Sequence, residues 1–204
     1  VSDAATGPSG RSGRPCRRAS DERSLTTDTR LKRSLEQAFG ERLRGPVRQR
    51  TDTTEITIGA GDVTEVMREL HDGERFTFEI LADLAGVDTG TDMQVVYHLY
   101  SAASPDWLRV IVDGLPRDDP RVPSVTFIWN GAEWAEREAY DMFGIIFEGN
   151  RDLRRIFMPP DYTSFPLRKD FLLPDDAARS PGEGFRHVEQ AHTTARGARR
   201  ANDG

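Results

Sequence analysis

The chain has 204 residues, 36% of them hydrophobic, and a formal net charge of −6. That length allows one domain with tails or two small ones, and the acidic balance argues against a bulk attraction to nucleic acid. The single cysteine, Cys16, excludes an internal disulfide and leaves no cysteine cluster for an iron–sulfur centre or a structural zinc.

Residues 1–30 are poor in large apolar side chains and rich in Gly, Ser, Ala, Arg and Asp. Such a stretch cannot bury enough apolar surface to offset its ordering entropy, so a disordered N-terminal tail is expected. Its basic run "RSGRPCRR" is expected to be solvated rather than a nucleic-acid arm. Only Lys32 and Lys169 among the 28 basic residues are lysine, so Arg is this chain's default cation. No apolar leader segment and no run of membrane-spanning length is visible.

A domain is expected over 31–149. Leu31, Leu35, Ala38 and Phe39 share a helical face, and Gly40 can end that helix. "EITI", 55–58, alternates like a half-buried strand. Val63, Val66, Met67 and Leu70 then mark a second helix, with Asp62 and Glu65 in a capping-box pattern and Gly73 past its end. "RFTFEIL" is expected to be a strand and "ADLAGVDTGTD" a loop. "MQVVYHLY" and "WLRVIVD" are β-rich runs joined by "SAASPD", the pattern of a hairpin. "SVTFIWN" is either a short strand or a helical turn. Asn130 or Gly131 can cap a helix from Ala132 to about Phe143, stopped by Gly144. This order, without strict βα alternation, points to an α+β fold: two layers, helices packed on one mixed or antiparallel sheet.

Residues 150–174 contain four prolines and many apolar residues without periodicity, which predicts an extended partner-binding arm. Its first part is expected to lie over its own domain and the rest on a partner. Residues 175–204 are expected to form a disordered C-terminal tail.

"GAGDVT" lacks the third glycine of a dinucleotide-binding loop, and no Walker, H-E-x-x-H, C-x-x-C or G-x-S-x-G pattern is present. His98 falls on a strand and His71 at a helix end, while His187 and His192 lie in the tail. None can be paired as metal ligands by spacing. On a helical wheel Glu138 falls between Trp134 and Met142, inside the apolar arc. It is expected to be buried, ionised and held by one or more arginines of 154–168. The enzymatic alternative makes it a general acid helped by Tyr140 or Lys169.

"EREAYDMFGI", "DLRRIFMP" and "PLRKDF" together resemble the C subunit of respiratory NADH:quinone oxidoreductase (complex I), a family with relatives in membrane-bound hydrogenases. The signature falls on Glu136, Arg137, Glu138, Asp141, Met142 and Phe143, then on Arg154, Ile156 and Phe157. The likeness extends more loosely back to about Leu31.

The resemblance implies a structural, non-catalytic subunit of the peripheral arm of a proton-pumping complex, supporting electron transfer from NADH to quinone. It implies direct contact with the D subunit, which forms the quinone pocket, and with the cluster-bearing B subunit. It implies no cofactor in this chain: NADH, FMN, iron–sulfur clusters and quinone belong to other subunits. It implies a peripheral place on the cytoplasmic side of the cell membrane. The candidate interface residues are Glu136, Arg137, Glu138, Tyr140, Asp141, Phe143, Arg154, Arg155, Phe157, Arg168, Lys169 and Asp170. The family's habitual histidines before these two runs are absent; Asn150 and Phe165 stand in their places. That supports a structural role, with a degenerate paralogue as the other account. An equivalent subunit of a hydrogenase or another quinone-reducing complex also fits.

Overall fold

The computed structural model describes residues 30–171. The expected tails, apart from Arg30, and 172–174 of the expected arm lie outside the described residues, as do Cys16, His187 and His192.

Residues 30–39 form helix α1. Leu35 and Phe39 on its inner face are fully or almost fully buried. Strands β1 (Arg48–Gln49) and β2 (Thr54–Ile58) follow, then a 3-10 turn (Ala60–Asp62) and helix α2 (Val63–Asp72). The apolar positions expected to face inward on α2 do so: Val63, Val66, Met67 and Leu70 are buried. Burying side chains of this size stabilises by roughly 1.5–3 kcal/mol each. The capping box does not form. Asp62 makes no side-chain cap bond, and Glu65 is drawn to Arg42 at 2.5 Å.

The next strand is displaced from its expected place. Residues 75–79 are not strand; β3 runs Ile80–Asp88, through the segment expected to be a loop. Phe76 and Phe78 are nevertheless buried, and the Phe78 amide donates to the Leu70 carbonyl at 3.0 Å. Gly86 suits this strand because α3 lies against it. A Cβ at Gly86 would stand 2.6 Å from the Phe143 ring.

The hairpin forms as expected from β4 (Met93–Ser101) and β5 (Asp106–Leu115). The five-stranded sheet has the order β1-β2-β5-β4-β3. It is mixed, because β2 runs parallel to β5 while the other neighbours are antiparallel. One side of the sheet supplies Ile56, Ile58, Val95, Tyr97, Leu99, Leu108, Val110 and Val112 to the same core as α1, α2 and α3.

Residues 124–130 settle as a turn: the amides of Ile128 and Trp129 both donate to the Val125 carbonyl, each at 3.0 Å. Helix α3 (Ala132–Phe143) keeps its expected bounds, starting after Gly131 and ending at Gly144, whose φ of 75° is left-handed. Short strands β6 (Arg121–Pro123) and β7 (Ile146–Glu148) pair in parallel and flank α3. The result is the expected two-layer α+β fold.

Candidate assembly surface

Helix α3 buries two sides. Ala132, Ala139 and Glu136 turn inward, while Arg137 and Asp141, on another side, are buried as well. The exposed strip between them carries Trp134 and Glu138. This reverses the expectation for Glu138, which is exposed and has no ion-pair partner among the described residues. The wheel places Trp134 inside. Its indole instead lies outside with the Arg137 guanidinium 4.7 Å from the ring centroid. Such stacking keeps an aromatic residue favourable at the surface.

Asp141 is the anchor of the segment that follows. Its Oδ2 accepts the amides of Ile156, Phe157 and Met158 at 3.0, 2.6 and 3.0 Å. Its Oδ1 accepts Arg155 Nη1 at 2.7 Å, and the side chain is fully buried. Burial pushes its carboxyl up, but these amides and the Arg155 guanidinium outweigh it and hold the group below the usual range. Arg155 also approaches the Phe165 ring at 5.1 Å, and Arg168 stacks on the same ring at 4.7 Å. Arg168 Nε donates to the Phe143 carbonyl at 2.7 Å, and the Leu167 amide to the Met142 carbonyl at 3.1 Å. Arg137 Nε reaches the Arg154 carbonyl at 3.2 Å. Arg154 itself points outward and pairs with Asp152 at 3.0 Å.

A second anchor lies at the end of β3. Asp88, almost fully buried, accepts the Lys169 amide at 2.8 Å on Oδ2 and pairs with Arg117 through Oδ1. Arg117 also pairs with Asp170 at 3.0 Å, and Lys169 Nζ donates to the Thr89 carbonyl at 3.0 Å. Burial raises the Asp88 carboxyl, but the Lys169 and Gly90 amides and Arg117 bring it down to about 2. Asp88 and Arg117 escaped sequence reasoning. They lie far from 169–170 in the chain, and no local pattern joins them.

Glu136 belongs to a different network. It is fully buried and accepts Ser124 Oγ at 2.8 Å, the Val125 amide at 2.8 Å and Asn150 Nδ2 at 2.8 Å. Burial pushes its carboxyl up against the pull of these three donors. The fully buried Tyr97 hydroxyl has no partner among the described residues and is pushed well up by burial and by the Glu136 charge. Asn150 thereby ties the start of the segment to α3. Tyr140 is half-buried and contributes its carbonyl to the Gly144 amide at 2.8 Å.

His98 is a sheet histidine, as expected: Nε2 accepts Arg109 Nε at 3.0 Å. Glu138, Tyr140 and Lys169 do not converge as an enzymatic reading needs. Glu138 is exposed, and Lys169 is engaged on the β3–β4 turn.

Residues 151–170 are thus pinned to their own domain by main-chain amides at 156–158, 167 and 169, so the later part, expected to lie on a partner, is also tied to the domain. The side chains of Phe157 and Leu167 stay 65% and 55% exposed.

The family described as "Respiratory-chain NADH dehydrogenase, 30 Kd subunit" matches residues 56–177. The C subunits of the NADH-quinone oxidoreductases of Burkholderia mallei (strain SAVP1) and Burkholderia pseudomallei (strain K96243) are similar. Each is 43% identical over 150 residues, covering 69% of this chain and 74% of the relative. Among solved structures, a trypsin-resistant fragment of Nqo5 aligns with a TM-score of 0.51 and 33% identity, over 61% of this chain and 99% of the fragment. A chain of the membrane-bound sulfane sulfur reductase, an archaeal respiratory membrane complex, aligns with a TM-score of 0.62 and 26% identity. That alignment covers 76% of this chain and 90% of the other.

Proposed function

The chain belongs to the family of the 30 kDa subunit of respiratory-chain NADH dehydrogenase, and from that premise we propose that it is the docking subunit of the complex's peripheral arm. It is a C-type subunit of an NADH-quinone oxidoreductase, and other subunits of that membrane-associated enzyme are its partners. No described helix is long and apolar enough to cross a membrane. In this proposal the chain sits peripherally on the cytoplasmic side, seats the quinone-pocket D subunit and lies next to the B subunit. It supports electron transfer from NADH to quinone in a proton-pumping complex without reacting itself. NADH, FMN, iron–sulfur clusters and quinone are bound by other subunits; a single cysteine gives this chain too few thiolates to hold a cluster.

The observation that carries the proposal is the way 151–170 is held. Asp141 and Asp88 grip the main chain, so the course of the segment is fixed before any partner arrives. Phe157 and Leu167 are left outside as apolar anchors, and a few well-packed residues at the centre of an interface carry most of its affinity. Preorganisation lowers the entropic cost of docking.

The test is affinity purification of the tagged chain from membranes of its own bacterium, with the partners identified. The D and B subunits are expected in stoichiometric amounts, with quinone reductase activity in the purified complex and none in the isolated chain. Recovery with a hydrogenase instead, or alone, overturns the proposal.

A further inference from the structure

The helices cover one side of the five-stranded sheet; the other is half-exposed along every long strand. Strand register places Ile80, Tyr100 and Trp107 in one row across β3, β4 and β5 on that open side. Tyr100 and Trp107 stack with centroids 4.8 Å apart, while Ile80 and Trp107 stay 43% and 41% exposed. The neighbouring row is polar and runs Asp83, His98, Arg109, Glu55, Arg48. At its β1 end the charges do not balance. Arg48, Arg50 and Arg109 approach the single carboxylate of Glu55 at 3.7, 3.7 and 3.5 Å. That leaves a surplus of two positive charges on a chain whose net charge is −6.

We propose that this open face seats an amphipathic helix of another subunit, apolar where it crosses Ile80, Tyr100 and Trp107 and carrying carboxylates over Arg48 and Arg50. From β3 to β1 is four inter-strand spacings, about 19 Å, which a helix spans with about 13 residues. The chain's own ends do not fit this description. Residues 1–29 carry five basic and four acidic side chains, and residues 172–204 carry five of each. The carboxylates that a second copy would bring from the open side of β3 and β5, Asp83 and Asp113, already face His98 at 3.9 Å and Arg44 at 3.0 Å. The inference rests on the chain's assembly into the oxidoreductase. It adds a second face, on the opposite side of the sheet from the one that carries 151–170.

The experiment uses full-length chain with Cys16→Ser and either Ile80→Cys or Phe157→Cys, probed with N-ethylmaleimide alone and in the purified complex. Both thiols should react freely in the isolated monomer, and both should slow by about tenfold or more in the complex, as in a water-excluding interface. Protection of Phe157→Cys with Ile80→Cys still reactive overturns this inference and leaves the proposed function standing. Protection of neither contradicts the proposed function itself. Protection of Ile80→Cys already in the isolated chain overturns the inference in favour of a tail, if that chain is monomeric, or of a second copy, if dimeric. The double variant Arg48→Gln/Arg50→Gln, which leaves Arg109 for Glu55, should be shed from the complex at lower salt than the wild type. Unchanged salt tolerance refutes the acidic partner.

Discussion

Two carboxylates on α3, three residues apart in the chain, differ in what their loss should do. Asp141 satisfies three main-chain amides and a buried guanidinium. Removing it in Asp141→Ala strands the three amides and leaves Arg155 without its counter-ion, although Arg155 keeps the Asp141 carbonyl at 3.0 Å, and breaking a buried pair in this way costs about 3–5 kcal/mol. Thermal unfolding should fall accordingly, and limited proteolysis should begin within 150–171 of the isolated chain. Glu138→Gln should change stability by less than about 0.5 kcal/mol, as expected for an exposed side chain without a partner. If Glu138→Gln proved the more damaging of the two, the assignment of the anchor would be wrong. The acid limb of stability should report Asp88. Its folded-state carboxyl lies at about 2, below the value of near 4 in an unfolded chain. The stability it contributes is therefore fully present above about pH 4 and is lost as pH falls towards about 2. Urea unfolding of Asp88→Asn between pH 6 and pH 2 should show a shallower acid slope than the wild type. An identical slope would remove Asp88 from this role.

At the scale of the element, close approach matters more than propensity. At Gly86 a side chain would strike the Phe143 ring, so Gly86→Val, although the better strand former, should destabilise by about 1–3 kcal/mol through overpacking. A denaturant midpoint that rises instead would show that α3 does not rest on β3 as described. The same contact explains what the sequence conceals. The bounds of α2 and α3 and the β4–β5 hairpin follow from local periodicity and glycine stops, and these were legible. β3 was not: Ala82, Ala85 and Gly86 look like loop in isolation, and of the three only Gly86 faces α3, where the Phe143 ring leaves no room for a side chain. The face of α3 was misjudged for a related reason. A wheel counts apolar side chains, but the second covering of this helix is backbone, and amide donors call for carboxylate rather than for Trp134. The resemblance singles out Asp141, but its role as the anchor could be found only by asking what would satisfy the amides of a segment without regular structure.

For the whole molecule, folding and assembly draw on separate residues. Phe157 and Leu167 stabilise the isolated chain little, being largely in water, so Phe157→Ala and Leu167→Ala should leave its unfolding temperature within about 2 °C. Each should lower the yield of chain co-purifying with the complex. A loss of stability matching the loss of yield would mean that these side chains serve the fold rather than a partner.

The parallel pairing of β2 with β5 carries a consequence for the order of events during synthesis. Ile56 must find Val110, and between them the ribosome makes α2, β3 and β4. The β3–β4–β5 meander can close from local contacts, whereas β1 and β2 wait for an edge that does not yet exist. Non-local pairing of this kind is slow, and until β5 emerges one edge of β2 has no strand to pair with and its core is only part covered by α1 and α2. Nascent chains halted before residue 106 should therefore bind hydrophobic-segment chaperones through 54–70, and release should follow the appearance of β5 rather than the completion of α2.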